Sequence, residues 1–322
     1  MTFVALLTKE LRLHLRRERA IWVIIAYLAV MGLLGWISVN GASNNPGNYG
    51  PMGLSVLGLG LYLILSLLQL FLILFTVPAF TATAVNSEKE RQTFDLLLCS
   101  RLSSFSLISG KLLAGLANAL LLVAASIPLF SMVFFFGGIA PAQVFAALAV
   151  YAVTVLLTGS LGLFCSTIFS RPAVSTSITY IVCLVWITFP LIATYIISST
   201  GVGRWFQVYP NHMRLIYLWN PVAALNSTFP VNATSEYFYY GGYYNGFYSV
   251  PLLGSLAGPS TPLIVYGVRI APWIVYSGIS LLLSALLVLA STLLIKPHSF
   301  QRLWRAHRKV KAGPVVPEGG AE

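Results

Sequence analysis

The chain has 322 residues, of which 57% are hydrophobic and only 8% are charged, and its mean hydropathy is +0.83. A soluble protein of this size needs about a quarter charged residues to cover its surface. The composition therefore excludes an ordinary soluble domain and predicts an integral membrane protein that is covered by lipid. The net charge of +11 does not indicate a nucleic-acid partner, because the lysines and arginines cluster at the ends of apolar runs.

Six apolar segments are long enough to cross a hydrocarbon core of about 30 Å, which takes about 20 helical residues. The first of them is too long for the apolar part of a cleaved signal peptide, so we expect it to remain as an anchor. The segments are residues 20–39, 54–84, 107–136, 143–169, 173–198 and 273–295. The sequence therefore predicts an all-α integral membrane protein, with one transmembrane domain over residues 1–322.

Lysine and arginine determine the predicted orientation of these segments. Sixteen of them lie in the two terminal tails and in the second-to-third and fourth-to-fifth connections. Only three lie in the alternate loops, all of them within residues 199–271. Because cytoplasmic loops carry the excess of these residues, both termini are expected in the cytoplasm and residues 199–271 become a large outside loop.

The outside loop holds nine of the sixteen tyrosines, interleaved with glycines. Two interpretations stay open: an aromatic cap at the level of the lipid headgroups, or a surface for substrate exit or partner binding. The triplets that begin at Asn226 and Asn232 fit glycosylation acceptors, which matter only in a eukaryotic secretory setting.

The cytoplasmic connection over residues 85–106 has the pattern of a short amphipathic helix. Ser87 followed by Glu90 is a capping box, which predicts that a helix begins there. Phe94, Leu97 and Leu98 then fall on one face of that helix. The residues alone leave two alternatives open, a helix along the cytoplasmic surface that is presented to a partner and a solvated interhelical loop.

The amino-terminal tail has a similar pattern. Its leucines recur at helical spacing opposite Lys9, Arg12 and Arg16. Such a helix is expected to lie in the membrane interface, with its basic face toward anionic lipid.

The sequence contains no catalytic, phosphate-binding or metal-binding motif, so neither a catalytic residue nor a cofactor is expected on this chain. Cys99, Cys165 and Cys183 lie apart and are expected to be small buried thiols. No aspartate or glutamate lies within the six segments, although ion-coupled carriers usually need ionisable groups in the membrane. If the protein transports a substrate, its energy therefore comes from a source other than an ion gradient; the other possibility is that it is not a transporter.

Two runs of residues resemble the permease subunit of type 2 ATP-binding-cassette (ABC) transporters. The first is Glu-Lys-Glu-Arg-Gln-Thr-Phe-Asp-Leu-Leu-Leu from Glu88, and the second is Leu-Ile-Ser-Gly-Lys-Leu-Leu from Leu107. The start Lys9-Glu10-Leu11-Arg12 and the six-segment layout are also similar to this family. The chain departs from the family pattern at Gln92, where glycine is common, and at Ser100-Arg101-Leu102, where a proline is common.

The resemblance implies an export permease in a bacterial cytoplasmic (inner) membrane, without enzymatic activity of its own. Residues 85–106 would contain a coupling helix that sits in a groove of a separate ATPase subunit. Two permeases, a second copy or a paralogue, would assemble with two ATPases. An alternative from a different class is a non-transporting membrane assembly or sensor protein that acts through the tyrosine-rich outside loop. The residues implied in ATPase coupling are Glu88, Glu90, Arg91, Thr93, Phe94, Leu97 and Leu98, and those of the amino-terminal interfacial helix are Lys9, Glu10, Arg12 and Arg16.

Overall fold

A computed structural model describes residues 18–43, 51–90, 104–137, 139–199, 216–229, 263–265 and 268–295 of the protein. These residues form eight helices and one pair of short strands. The elements are α1 (Glu18–Ser43), α2 (Pro51–Thr81), α3 (Asn86–Glu90), α4 (Ser104–Phe136), α5 (Pro141–Ile168), α6 (Pro172–Ser199), α7 (Pro221–Asn226), β1 (Leu263–Val265), β2 (Val268–Ile270) and α8 (Pro272–Leu294).

A long helix occupies each of the six predicted apolar segments, namely α1, α2, α4, α5, α6 and α8. Five of these helices are long and apolar enough to cross a membrane. In α1 the described apolar stretch, Ile25–Ile37, is shorter. The described part of the chain is therefore that of a helical, multi-pass membrane protein.

The all-α prediction omits a small antiparallel ribbon. Strand β1 pairs with β2 so that Leu263 faces Ile270 and Val265 faces Val268. The signal was present in the sequence, because β-branched residues flank the dipeptide Tyr266-Gly267, which has the length of a tight hairpin loop.

Proline begins five of the helices: α2, α5, α6, α7 and α8. Proline suits the first helical position because that residue's N–H has no partner within the helix and because the ring fixes φ near the helical value. At the start of α5, the Gln143 side-chain oxygen also accepts a hydrogen bond from the Ala140 N–H, at 3.0 Å. These boundaries therefore follow from local sequence.

Helix α5 lies at the centre of the structure and contacts α2, α4, α6 and α8. Small residues allow this close approach: a Cβ atom added to Gly159 would lie 2.7 Å from Leu116 of α4. Hydroxyl groups also connect the helices, since Tyr151 donates to the Ser66 carbonyl and the hydroxyls of Thr154 and Tyr276 lie 2.8 Å apart. By contrast, α6 and α8 expose many large apolar side chains, which suit contact with lipid.

Candidate functional site

Helix α3 follows α2 after a turn of four residues and lies at one end of the helix bundle. It begins at Asn86, next to the predicted start at Ser87. The turn is held by hydrogen bonds from Ala84 to Thr81 and from Ser87 to Thr83, at 3.2 and 3.1 Å. The chain therefore passes from α2 into α3 through a tight turn that stays in contact with the bundle.

The end of α5 caps the start of α3. The Ser166 hydroxyl oxygen accepts hydrogen bonds from the backbone N–H groups of Val85 and Asn86, at 2.9 and 3.1 Å. Asn86 itself is fully buried. Because N–H groups at the start of a helix have no partner within it, a serine from another helix satisfies them here. This contact attaches α3 to α5.

A largely buried ion pair attaches α3 to α4. The Lys111 ammonium lies 2.6 Å from a carboxylate oxygen of Glu88, and it also donates to the Ala84 carbonyl at 2.9 Å. Only 5% of the Lys111 side chain and 18% of the Glu88 side chain are exposed. Lys89 adds a third connection, from its ammonium to the Thr167 carbonyl of α5 at 2.7 Å. We call this set of contacts the α3 junction.

Glycines next to the α3 junction bring α2, α4 and α5 close together. A Cβ atom on Gly115 would lie 2.7 Å from the Thr81 methyl group. A Cβ atom on Gly162 would clash with the Thr81 hydroxyl and would lie 3.1 Å from the Ala82 nitrogen. Since these clashes involve a backbone atom and a short side chain, the three helices have little room for adjustment at this end.

The described residues include only part of the predicted coupling site. Glu88 points into the α3 junction, whereas Glu90, at the end of α3, is exposed. Sequence reasoning did not find Ser166 or Thr167, for which no motif exists, but Lys111 at the start of a membrane segment was a visible signal. The other predicted site residues lie outside the described residues: Arg91, Thr93, Phe94, Leu97, Leu98, Lys9, Glu10, Arg12 and Arg16.

A second buried segment lies at the opposite end of the bundle. Residues 220–229, which we call the plug segment, contain α7 and pack against α2, α5 and α8. All six residues of α7 are buried. The plug segment also makes polar contacts, since the Ser227 hydroxyl oxygen accepts from the Trp273 N–H at the start of α8, at 3.1 Å. These residues fall within the predicted outside loop over residues 199–271, and the sequence alone did not predict that this part of it packs into the bundle.

The described residues contain no group of three or more side chains that could hold a metal ion. Cys165 and Cys183 are buried free thiols, as predicted, whereas Cys99 lies outside the described residues.

The long apolar helices define a multi-pass membrane protein, and the α3 junction and the plug segment lie at its two ends. Residues 55–294, about three quarters of the chain, match the family described as ABC-2 family transporter protein. The chain therefore belongs to the ABC-2 transporter family and is a permease of that kind. No curated protein matches the chain in a sequence search.

Proposed function

We propose that this chain is the transmembrane subunit of an ATP-driven ABC exporter, which moves its substrate across the cytoplasmic membrane with energy from a separate ATPase subunit. The observation that supports this most is the α3 junction. Helix α3 is attached to α4 by an ion pair and to α5 by a serine and a lysine. A displacement at the surface of α3 would therefore be passed on to these two membrane helices.

The proposed topology has six spans and both termini in the cytoplasm. Helix α1 serves as the first span, because its 26 residues extend for about 39 Å at 1.5 Å per residue. The end of α2 and the start of α4 meet at the α3 junction, together with the end of α5. This end is the cytoplasmic one, because the excess of lysine and arginine lies on its side of the membrane.

The proposed coupling surface begins at Glu90 and continues through Arg91, Thr93 and the apolar face of residues 94–98. Glu90 is exposed and can meet a charged partner. Glu88 has a different role in this scheme, since its carboxylate contacts Lys111 of the same chain. The amino-terminal helix with Lys9, Glu10, Arg12 and Arg16 would lie in the interface beside this surface.

The working assembly is two permeases, identical or paralogous, with two ATPase subunits. The family relationship supports an ATPase partner. The membrane segments provide no carboxylate for coupling to protons or sodium ions, which also supports an external source of energy. ATP hydrolysis then takes place on the partner, and this chain carries no cofactor.

Co-purification from the native membrane tests the proposal. A tagged chain is expected to bring with it an ATP-binding subunit that hydrolyses ATP. Glu90→Lys should reduce the amount of bound ATPase about tenfold, because reversing a charge at an interface costs roughly 1–2 kcal/mol. The matched control is Glu236→Lys, which places the same change in the outside loop and should leave the amount of bound ATPase unchanged.

Two results would contradict the proposal. One is the absence of any ATP-hydrolysing subunit from the purified material. The other is wild-type ATPase binding by Glu90→Lys. In the first case the sensor or assembly alternative predicts that shortening residues 235–249 of the tyrosine-rich loop abolishes function, whereas a permease needs this loop less than it needs residues 88–98.

A further inference from the structure

The plug segment contacts a membrane helix beside an internal proline, a position at which a helix is expected to kink. Pro190 lies inside α6 and has no N–H, so the carbonyl one turn earlier lacks its helical donor and the turn is loosened. The adjacent carbonyl, that of Ile187, accepts a hydrogen bond from the Asn220 side-chain nitrogen at 2.9 Å. The Trp186 indole N–H donates in the other direction, to the Trp219 carbonyl at 2.8 Å.

Asn220 therefore has two functions at once. Its side-chain oxygen accepts from the Val222 N–H at 2.8 Å and so caps α7, while its nitrogen holds the kink of α6. Asn220 is fully buried. In a membrane protein, a buried side chain such as Asn220 needs partners of this kind for its polar atoms, because no bulk water is present to provide them.

A second proline kink has the same arrangement. Pro78 lies inside α2, close to the α3 junction, and the carbonyl of Phe75 accepts a hydrogen bond from the Tyr180 hydroxyl at 2.7 Å. In both kinks the accepting carbonyl lies three residues before the proline, and the donor comes from a different element. Both contacts use α6, where Tyr180 and Ile187 are seven residues apart and therefore lie on one face, about 10 Å apart.

We propose that α6 connects the two ends of the bundle, and that release of the plug segment from the Pro190 kink opens the end opposite α3. Asn220 and Tyr180 are the positioning residues of this connection. A shift of α2 at Pro78 moves Tyr180 and with it α6, and this displaces the Ile187 carbonyl from Asn220. The direction of this sequence, from the α3 junction to the plug segment, rests on the proposed function, whereas the two contacts do not.

Thiol accessibility of the plug segment tests the proposal. Ala223 of α7 is buried, so an Ala223→Cys variant of the full chain in lipid nanodiscs should react slowly with a polar, membrane-impermeant maleimide. The unmodified parent chain measures the background from its own cysteines. Asn220→Ser keeps an oxygen that caps α7 but is too short to reach Ile187. We expect it to raise the labelling rate about tenfold, roughly the effect of one lost buried hydrogen bond.

Two further variants make the test specific. Thr188→Val is the matched control, because its hydroxyl contacts only carbonyls of α6 itself, near the same kink; the labelling rate should stay within about twofold. Tyr180→Phe removes the hydroxyl at the distant kink and should raise labelling at Ala223→Cys about threefold, since the loss acts through α6. An unchanged rate in Asn220→Ser, or an equal rise in Thr188→Val, overturns the role of Asn220. An unchanged rate in Tyr180→Phe overturns the connection through α6.

The nucleotide arm separates this inference from the proposed function. When the purified complex is trapped with ATP and vanadate, labelling at Ala223→Cys should change by more than about threefold, and Tyr180→Phe should reduce that change. If no ATPase accompanies the chain, the proposed function fails while the labelling pattern of the isolated chain still decides the roles of Asn220 and Tyr180. If the complex forms but nucleotide leaves labelling unchanged, the proposed direction of coupling is wrong.

Discussion

Two short helices lie at opposite ends of the described helix bundle, and they are held in different ways. Helix α3 has five residues and α7 has six, and each packs against α5. The α3 junction uses an ion pair and a second ammonium group, whereas the plug segment contains no charged residue. A charged partner protein can exchange contacts with the first, while the second changes only when the helices around it move. In the proposed scheme, the receiving surface is therefore at α3 and the responding one at α7.

Removal of Lys111 should have the largest effect on this comparison. Lys111→Met keeps most of the side-chain volume but removes the ammonium group that contacts Glu88 and the Ala84 carbonyl. We expect a loss of about 3 kcal/mol in the free energy of unfolding, because removing one partner of a largely buried ion pair is strongly destabilising. Chemical denaturation of the purified protein in detergent measures this loss.

A charge exchange identifies the partner of Glu88. Glu88→Lys alone should lower stability, and adding Lys111→Glu should recover at least half of that loss. If the double variant recovers nothing, the ion pair with Lys111 does not account for the loss caused by Glu88→Lys. If Lys111→Met unfolds at the same denaturant concentration as the wild type, the ion pair does not hold the α3 junction.

Glycine substitutions compare close packing at the α3 end with an open helix face. Gly162→Ala places a methyl group against Thr81 and Ala82, and we expect a loss of about 2 kcal/mol because neither neighbour can move away. Gly278 of α8 has no atom within 4 Å of an added Cβ. Gly278→Ala should therefore stabilise the protein by up to about 1 kcal/mol through helix propensity. Thermal unfolding separates the two variants, and equal midpoints would contradict the packing described here.

Two serines provide the smallest and most closely matched comparison. Ser166 accepts two backbone hydrogen bonds at the α3 junction, and Ser227 accepts one at the start of α8. Ser166→Ala should cost about 2 kcal/mol and Ser227→Ala about 1 kcal/mol, because each N–H that loses its acceptor adds to the loss. Hydrogen exchange at Val85, Asn86 and Trp273 measures both. A larger loss of exchange protection at Trp273 in Ser227→Ala than at Val85 and Asn86 in Ser166→Ala would contradict this ranking.

The long helices were predictable because membrane spans are a local property of the sequence. Twenty apolar residues in a row specify a helix whatever they later contact, and the prolines at helix starts mark the boundaries. The predicted start at residue 54 and the observed start at Pro51 differ because hydropathy does not register a proline as the first helical residue. The family match is consistent with the resemblance that begins at Glu88.

The two ends of the bundle were less predictable because they depend on contacts distant in sequence. Asn220 is 33 residues from the carbonyl that it holds, and Ser166 is 81 residues from the N–H of Val85. A capping box predicted that a helix begins near Ser87, but no local rule says that Glu88 turns inward to Lys111. The run Pro-Val-Ala-Ala-Leu from Pro221 was the signal for the plug segment, since five apolar residues after an asparagine are unusual in a solvated loop.

The burial of Asn226 has a consequence for the glycosylation triplet that begins at this residue. This asparagine is 7% exposed and belongs to α7. If the chain were produced in a eukaryotic secretory pathway, an oligosaccharide could be attached at Asn226 only before the plug segment packs. A sugar attached at that stage would keep the plug segment from packing afterwards. The glycan would then act as a record of the order of folding, marking the molecules in which this end of the protein closed too late.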